Sequence, residues 1–209
     1  GQLGQGDNLS RGDDANEMGD NLLPIDLGTG RTATVIRSGN SFNCAILDNA
    51  TLKCWGSGTS GQLGQGDNLN RGNGVGEMGD SLAVTNLGTG RTAVQLFSRG
   101  SFNCAVLDDA TLKCWGLNSN AQLGQESTLN RGDGAGEMGD ALAVTNLGTG
   151  RGIASMALGV THGCAILDDN HVKCWGRNNQ GQLGIGDATN RGGLADQLVP
   201  MSTEPKTLT

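Results

Sequence analysis

The chain has 209 residues, no Tyr, three Phe, three Trp and 37 Gly, a composition that excludes one large aromatic core. Its net charge of −7 leaves no basic surface for a phosphate backbone, which argues against nucleic acid as a partner. No apolar run approaches the roughly 18 residues of a membrane-spanning helix. Gly and Pro together, 37 and 3 residues, stay below the proportion typical of disordered chains. The chain opens inside a repeat, with no initiator Met and no signal segment, and so reads as a mature or partial piece of something longer.

A fixed period dominates everything else. Gln2-Leu3-Gly4 returns at Gln62, Gln122 and Gln182, and Arg11-Gly12 returns at Arg71, Arg131 and Arg191, always 60 residues on. Glu17-Met18-Gly19-Asp20 returns at Glu77 and Glu137, and Leu27-Gly28-Thr29-Gly30-Arg31 at Leu87 and Leu147. The frames are 1–60, 61–120, 121–180 and a partial copy over 181–200, followed by a tail or linker over 201–209. The last copy decays after Arg191, where Gln197-Leu198-Val199-Pro200 stands in place of Glu-Met-Gly-Asp.

Within a copy the first element is a long loop rich in Gly, Asn and Asp, with one helical turn expected near Glu77-Met78. Leu82-Ala83-Val84-Thr85 is a first short strand. Thr34-Val35-Ile36, matched by Val94-Gln95-Leu96-Phe97, is a second. Cys44-Ala45-Ile46-Leu47 and Leu52-Lys53-Cys54-Trp55 then flank Asp48-Asn49-Ala50, a turn composition, and form a hairpin. No window sustains a 3.6-residue apolar period, so long helices are not expected. Four short strands in each 60-residue unit predict an all-β chain of propeller blades, each a four-stranded antiparallel sheet, in a partial or open propeller.

Cys44-Ala45-Ile46-Leu47, Lys53-Cys54-Trp55-Gly56 and Gly61-Gln62-Leu63-Gly64-Gln65-Gly66-Asp67, in that order, resemble the regulator of chromosome condensation repeat family. The third copy also keeps that family's His, as His162, where the others have Phe42 and Phe102. The resemblance spans essentially the whole chain and implies a β-propeller. It implies no single activity, because the family includes nucleotide-exchange factors and a plant ultraviolet photoreceptor. The photoreceptor's repeated tryptophan-arginine motif is absent here, so Trp55, Trp115 and Trp175 are read as blade packing. The family's common ring has about seven blades, whereas this chain supplies three and a half, beginning and ending in the same segment of the repeat.

The six Cys are the strongest chemical signal. If Asp48-Asn49-Ala50 forms the turn, Cys44 faces Cys54, and directly opposed Cβ atoms lie about 4.5–5.5 Å apart, close to disulfide geometry. The reading gives bridges Cys44–Cys54, Cys104–Cys114 and Cys164–Cys174. The alternative holds the same residues as reduced, small apolar side chains in a cytosolic propeller. Zinc is disfavoured, since Cys-x-x-Cys is missing and the two His are His162 and His171.

Asp7, Asp13, Asp14, Glu17 and Asp20, with Asn16, crowd oxygen ligands into the first loop and make calcium a candidate cofactor, although the spacing is not that of an EF-hand and Ser127 replaces the first Asp in the third copy. The bland reading is turn capping and pairing with Arg11 or Arg31. Arg11-Gly12-Asp13 and Arg131-Gly132-Asp133 spell an integrin-type tripeptide. Only the Arg-Gly recurs, however, which points to a structural role. Asn49-Ala50-Thr51 and Asn8-Leu9-Ser10 are glycosylation sequons, making Asn49 and Asn8 candidate glycan sites. No nucleophile pairs with a base, and no enzyme is expected.

These features point to an extracellular or cell-surface structural or adhesive repeat protein, part of a filament, coat or appendage. Its expected partners are proteins, above all other copies or further repeats of the same chain. The alternative is a cytoplasmic or nuclear interaction propeller, such as a guanine-nucleotide exchange factor for a small GTPase. That rival needs free thiols and an inserted wedge loop, and no insertion breaks the 60-residue period.

Overall fold

The computed structural model describes residues 1–193. Its strands are β1 (Ala33–Ser38), β2 (Phe42–Leu47), β3 (Leu52–Gly56), β4 (Ala93–Arg99), β5 (Phe102–Leu107), β6 (Leu112–Gly116), β7 (Ile153–Leu158), β8 (His162–Leu167) and β9 (Val172–Gly176). They form three antiparallel sheets, ordered β1-β2-β3, β4-β5-β6 and β7-β8-β9. Each sheet is one blade. The decay at Gln197–Pro200 and the tail over 201–209 lie outside the described residues.

The central strand of each blade is built for burial on both sides. Successive side chains of a strand point to opposite faces. Phe42, Cys44 and Ile46 therefore share one face of β2, and Ala45 and Leu47 the other, and all five are buried. Strand β3 follows after Asp48-Asn49-Ala50 in the register Cys44↔Cys54 and Phe42↔Gly56. The turn closes with Ala50 N–H donating to Leu47 O at 2.9 Å and Leu47 N–H donating to Thr51 O at 2.8 Å. Its third residue is left-handed, with φ 62° at Ala50, 65° at Ala110 and 66° at Asn170. This is the three-residue hairpin loop, a tight turn ending in a left-handed residue.

Strands β1, β4 and β7 lie beside one another where the blades converge, and Asn40 N–H donates to Gly100 O at 2.8 Å across that line. Each of the three carries an irregularity at the same point, after Ala33, Ala93 and Ile153. A bulge there adds twist to the strand. The cores lie between blades. Phe42, Cys44, Ile46, Leu52 and Cys54 of the first pack on Ala93, Leu96, Leu107 and Trp115 of the second. Phe102, Cys104, Val106, Leu112 and Cys114 of the second pack on Met156, Ala165, Leu167 and Trp175 of the third. Fully burying such a side chain stabilises by roughly 1.5–3 kcal/mol.

The blades have three hydrogen-bonded strands, not the four expected from the sequence. The segment expected as a strand, Leu82–Thr85, does run along β3, but it makes one backbone bond there, Thr85 N–H to Leu52 O at 2.7 Å. Its counterpart in the next copy makes an isolated bridge, Lys113↔Val144. A turn cuts the pairing short. Asn86 Oδ1 accepts from Gly88 N–H at 3.0 Å, and Gly88 has φ 126°. The helical turn expected near Glu77-Met78 falls one step later, as a single 3-10 turn over Gly79–Ser81.

Alanine pays for the left-handed conformation at the hairpin tip with a Cβ clash, whereas glycine does not and asparagine tolerates it. Ala110→Gly should therefore raise stability by about 0.5–1 kcal/mol, after the added freedom of the unfolded chain is subtracted. A shift of the urea midpoint to higher concentration, with an unchanged slope, is the expected result.

Candidate functional site

The seam between blades is the place where the repeat concentrates its chemistry. At its centre lie the bridges Cys44–Cys54, Cys104–Cys114 and Cys164–Cys174, each with a Cα separation of 4.1 Å and a sequence separation of 10. Directly opposed residues at a non-hydrogen-bonded position come to about 4.5 Å, and there a cross-strand bridge fits. No cysteine is free.

A wedge turn flanks each of the first two bridges. Leu63 packs on Cys44 and Cys54, and Leu123 on Cys104 and Cys114. Backbone carbonyls of the same turns serve the next blade. Gln62 O accepts from Trp115 Nε1 at 3.2 Å and from Asn103 Nδ2 at 2.7 Å. Gln2 O does the same for Trp55 and Asn43 at 3.1 and 2.6 Å. Gln122 O accepts from Trp175 alone, at 2.9 Å, because Gly163 replaces the asparagine. All three indoles are buried in packing, as the sequence implied.

A second set of contacts ties each linker to the one before it. Lys53 Nζ donates to Leu27 O at 3.0 Å and Gly79 O at 2.7 Å. Lys113 Nζ repeats this with Leu87 O and Gly139 O at 3.0 and 2.7 Å. Burial pushes the Lys113 ammonium below the usual lysine range. Asp80 accepts from Thr29 N–H at 2.9 Å and Thr29 Oγ1 at 2.6 Å. Asp140 accepts from Thr89 in the same way, at 2.8 and 2.6 Å. Gly88 makes room for this meeting, since a Cβ there would stand 2.9 Å from Asp140 Oδ1. The signal for these stitches was present in the sequence. Lys53, Lys113 and Lys173 recur with the Cys-Trp pair, and Asp20, Asp80 and Asp140 with Thr29, Thr89 and Thr149.

The five acidic residues considered for calcium are not brought together. Asp7 pairs with Arg11 at 2.6 Å. The Leu9 N–H first and the Arg11 side chain second hold its carboxyl below the usual range. Glu17 Oε2 accepts from the N–H groups of Gly12, Asp13 and Asp14 at 2.8, 3.2 and 3.0 Å. The Asp14 and Gly12 N–H groups lower its pKa most. Asp13, Asp14 and Asp20 are exposed. Among the described residues no group of three or more His, Cys, Asp or Glu is placed to hold a metal ion. Turn capping and ion pairing thus occupy Asp7 and Glu17.

Arg11 and Arg71 are held by Asp7 and Asp67, at 2.6 and 2.7 Å. Where Ser127 replaces that Asp, Arg131 turns to Glu137, at 4.0 Å. The arginine thus belongs to its own loop. Asn49 and Asn8 are both exposed. Asn49 Oδ1 accepts from Thr51 N–H and Oγ1 at 3.2 and 2.7 Å. His171 Nδ1 sits 3.1 Å from Asp169, while His162 lies on the outer face of the third blade, where burial lowers its pKa. Among the described residues no helix is long and apolar enough to cross a membrane.

The model of the regulator of chromosome condensation (RCC1) repeat matches residues 34–62 and 153–182, each a blade with the wedge turn that follows it. Those two segments are regulator of chromosome condensation repeats, and the chain as a whole is similar to proteins built from them. The chain is 26% identical over 175 residues to the ultraviolet-B receptor UVR8 of Arabidopsis thaliana, covering 83% of this chain and 35% of the receptor. It is 29% identical over 175 residues to the mitochondrial RCC1 domain-containing protein RUG3 of the same plant, covering 82% of this chain and 35% of that protein. Prp20p from Saccharomyces cerevisiae superposes with a TM-score of 0.60 at 17% identity, over 83% of this chain and 39% of its own. That match shows the propeller fold. The chain spans about a third of the length of the two plant relatives, 35% of each.

The stitching carboxylates give the array an acid limb. The Thr89 hydroxyl first and its N–H second hold Asp140 below the usual carboxylate range, as Thr29 does for Asp80. A depressed pKa adds stability that is complete above the unfolded value of about 3.9 and is lost as pH falls through the folded value. The melting temperature should therefore fall on acidification below about pH 4. Asp140→Asn should melt lower than the native chain at pH 7 and show a shallower acid limb in a pH series of thermal melts.

Proposed function

We propose that the chain is a non-enzymatic protein-interaction array working outside the cell, as a structural or adhesive part of a surface filament, coat or appendage. The observation that carries this reading is the set of three cross-strand disulfides, one at the same place in every blade. Such bridges persist in oxidising compartments and stabilise small cores. Each closes a loop of about ten residues and contributes roughly 2–3 kcal/mol by the chain-entropy account. All six cysteines are thereby removed as nucleophiles.

Protein partners, including other copies, suit the end faces. Leu3 and Ile36 are 42% and 52% exposed on the first blade, where Leu63 and Leu96, at the same repeat positions, are each 1% exposed under a preceding blade. Such a face calls for a protein neighbour, a further repeat of the same chain or another copy. Asn49 adds an exterior feature. Its turn uses Oδ1 and leaves the amide nitrogen to carry a glycan. A second reading, an intracellular interaction propeller such as an exchange factor, has one observation behind it: the structural match Prp20p is described by its binding to Gsp1p and histones.

A non-reducing intact mass separates the two. Three bridges remove six hydrogens, two for each, so the chain isolated from its source should be about 6 Da lighter than its reduced form and should melt lower once reduced. A mass equal to that of the fully reduced chain would favour the intracellular reading. Sedimentation velocity over a concentration series tests the association, with oligomers growing at higher concentration expected and a strict monomer at every concentration arguing against it.

A further inference from the structure

The loops that join the blades repeat one exposed apolar feature. Leu9, Leu69 and Leu129 occupy the same position in three copies and are 67%, 63% and 67% exposed. The value does not depend on the ends of the chain. The loops on both sides of Leu129 are described, and they bond through Gly66 N–H to Gly132 O at 3.0 Å and Glu126 N–H to Gly192 O at 2.9 Å. Leu129 is nevertheless as exposed as Leu9 in the first copy. Ala15, Val75 and Ala135, six residues on, are exposed as well.

A turn holds each leucine out. Leu9 N–H donates to Asp7 Oδ1, Leu69 N–H to Asp67 Oδ1 and Leu129 N–H to Ser127 Oγ, each at 3.0 Å. Local bonds of this kind set the backbone before any partner arrives, which lowers the ordering cost of binding. Gly6 N–H donates to Gly72 O at 3.1 Å, and with the two bonds above it links four successive loops into one belt. The three leucines therefore lie along one surface.

The charge of the belt selects the partner. Residues 1–18, 61–78, 121–138 and 181–193 carry ten acidic and four basic side chains, a net −6 of the chain's −7. Each of the four arginines is held by a carboxylate of its own loop. Asp13, Asp14 and Glu126 stand exposed. A second copy would bring the same negative belt against this one, and like charges repel, whereas a basic chain is attracted.

We propose that the belt is a docking surface for a basic segment of a partner protein, one with apolar side chains set between its lysines or arginines. The apolar side chains cover the leucines, and the cations answer the carboxylates that the arginines leave over. A partner that covers more than one leucine crosses from blade to blade. The inference gives a partner chemistry to the interaction array proposed above and rests on that reading, but not on the state of the cysteines.

The test uses the 209-residue chain and fluorescence anisotropy with a labelled peptide of alternating lysine and leucine. The same peptide with serine for leucine should bind at least about tenfold more weakly, since it buries no leucine, and added salt should weaken both. The variant Leu9→Thr/Leu69→Thr/Leu129→Thr takes the residue that the fourth copy carries as Thr189. It should keep its melting temperature and lose at least about tenfold in affinity for the leucine peptide. Asp13→Asn/Asp14→Asn/Glu126→Gln should weaken both peptides and flatten the salt dependence. No binding of the leucine peptide by the native chain, equal binding of the serine peptide, or equal binding by the leucine variant each overturns the proposal. Loss of concentration-dependent self-association in the leucine variant, read by sedimentation velocity, assigns the belt to a second copy and also overturns it. A chain whose non-reducing mass shows free thiols, and which still binds the leucine peptide, overturns the extracellular reading and supports this one.

Discussion

Strands β2, β5 and β8 carry apolar side chains on both faces, and a lone three-stranded sheet has no way to keep both from water. Packing against a neighbouring blade is the solution, and it is used at two seams among the described residues. The first blade lends its Phe42–Cys44–Ile46 face to the second, and the second lends Phe102–Cys104–Val106 to the third. Every other feature follows from this need. The bridges sit in the seam because that is where two opposed side chains are pressed together. The wedge leucines sit there because a seam between twisted sheets leaves a gap at one end.

Apolar packing alone does not fix how one sheet lies on the next. Directional contacts between successive copies do that. Gln62 O binds the Trp115 indole and the Asn103 amide of the following blade, and Asp140 grips Thr89 from the preceding linker. A buried ammonium such as Lys113 is costly unless its protons are satisfied, and two carbonyls from different linkers do so. Each contact spans a fixed number of residues, 51 from Thr89 to Asp140 and 53 from Gln62 to Trp115. A copy of any other length would take donor and acceptor out of register, which is a physical reason for the gapless period.

The hairpins were legible because their signals are local. The spacing of Cys44 and Cys54 around Asp48-Asn49-Ala50 fixes a register, and that register is the one observed. Blade identity was legible because the Cys-Ala, Cys-Trp-Gly and Gly-Gln-Leu-Gly strings keep their order. The fourth strand was misjudged, since Leu82–Thr85 has strand composition but meets its turn at Asn86–Gly88 before a ladder can extend. The acidic loop admits two readings from sequence alone. Its carboxylates look like a ligand set until Arg11 and the N–H groups around Gly12 are seen to occupy them. The Lys–Asp–Thr stitches lay in plain repeat positions, but their function appears only when two copies are placed side by side.

The wedge turns also give the array a sense of direction. Each indole is capped from the N-terminal side, Trp55 by Gln2, Trp115 by Gln62 and Trp175 by Gln122. Displacing one wedge turn therefore uncaps the indole of the blade that follows it and leaves the indole of the blade before it untouched. The polarity of the chain is thus written into every seam, since each turn caps the blade that comes after it and none that comes before.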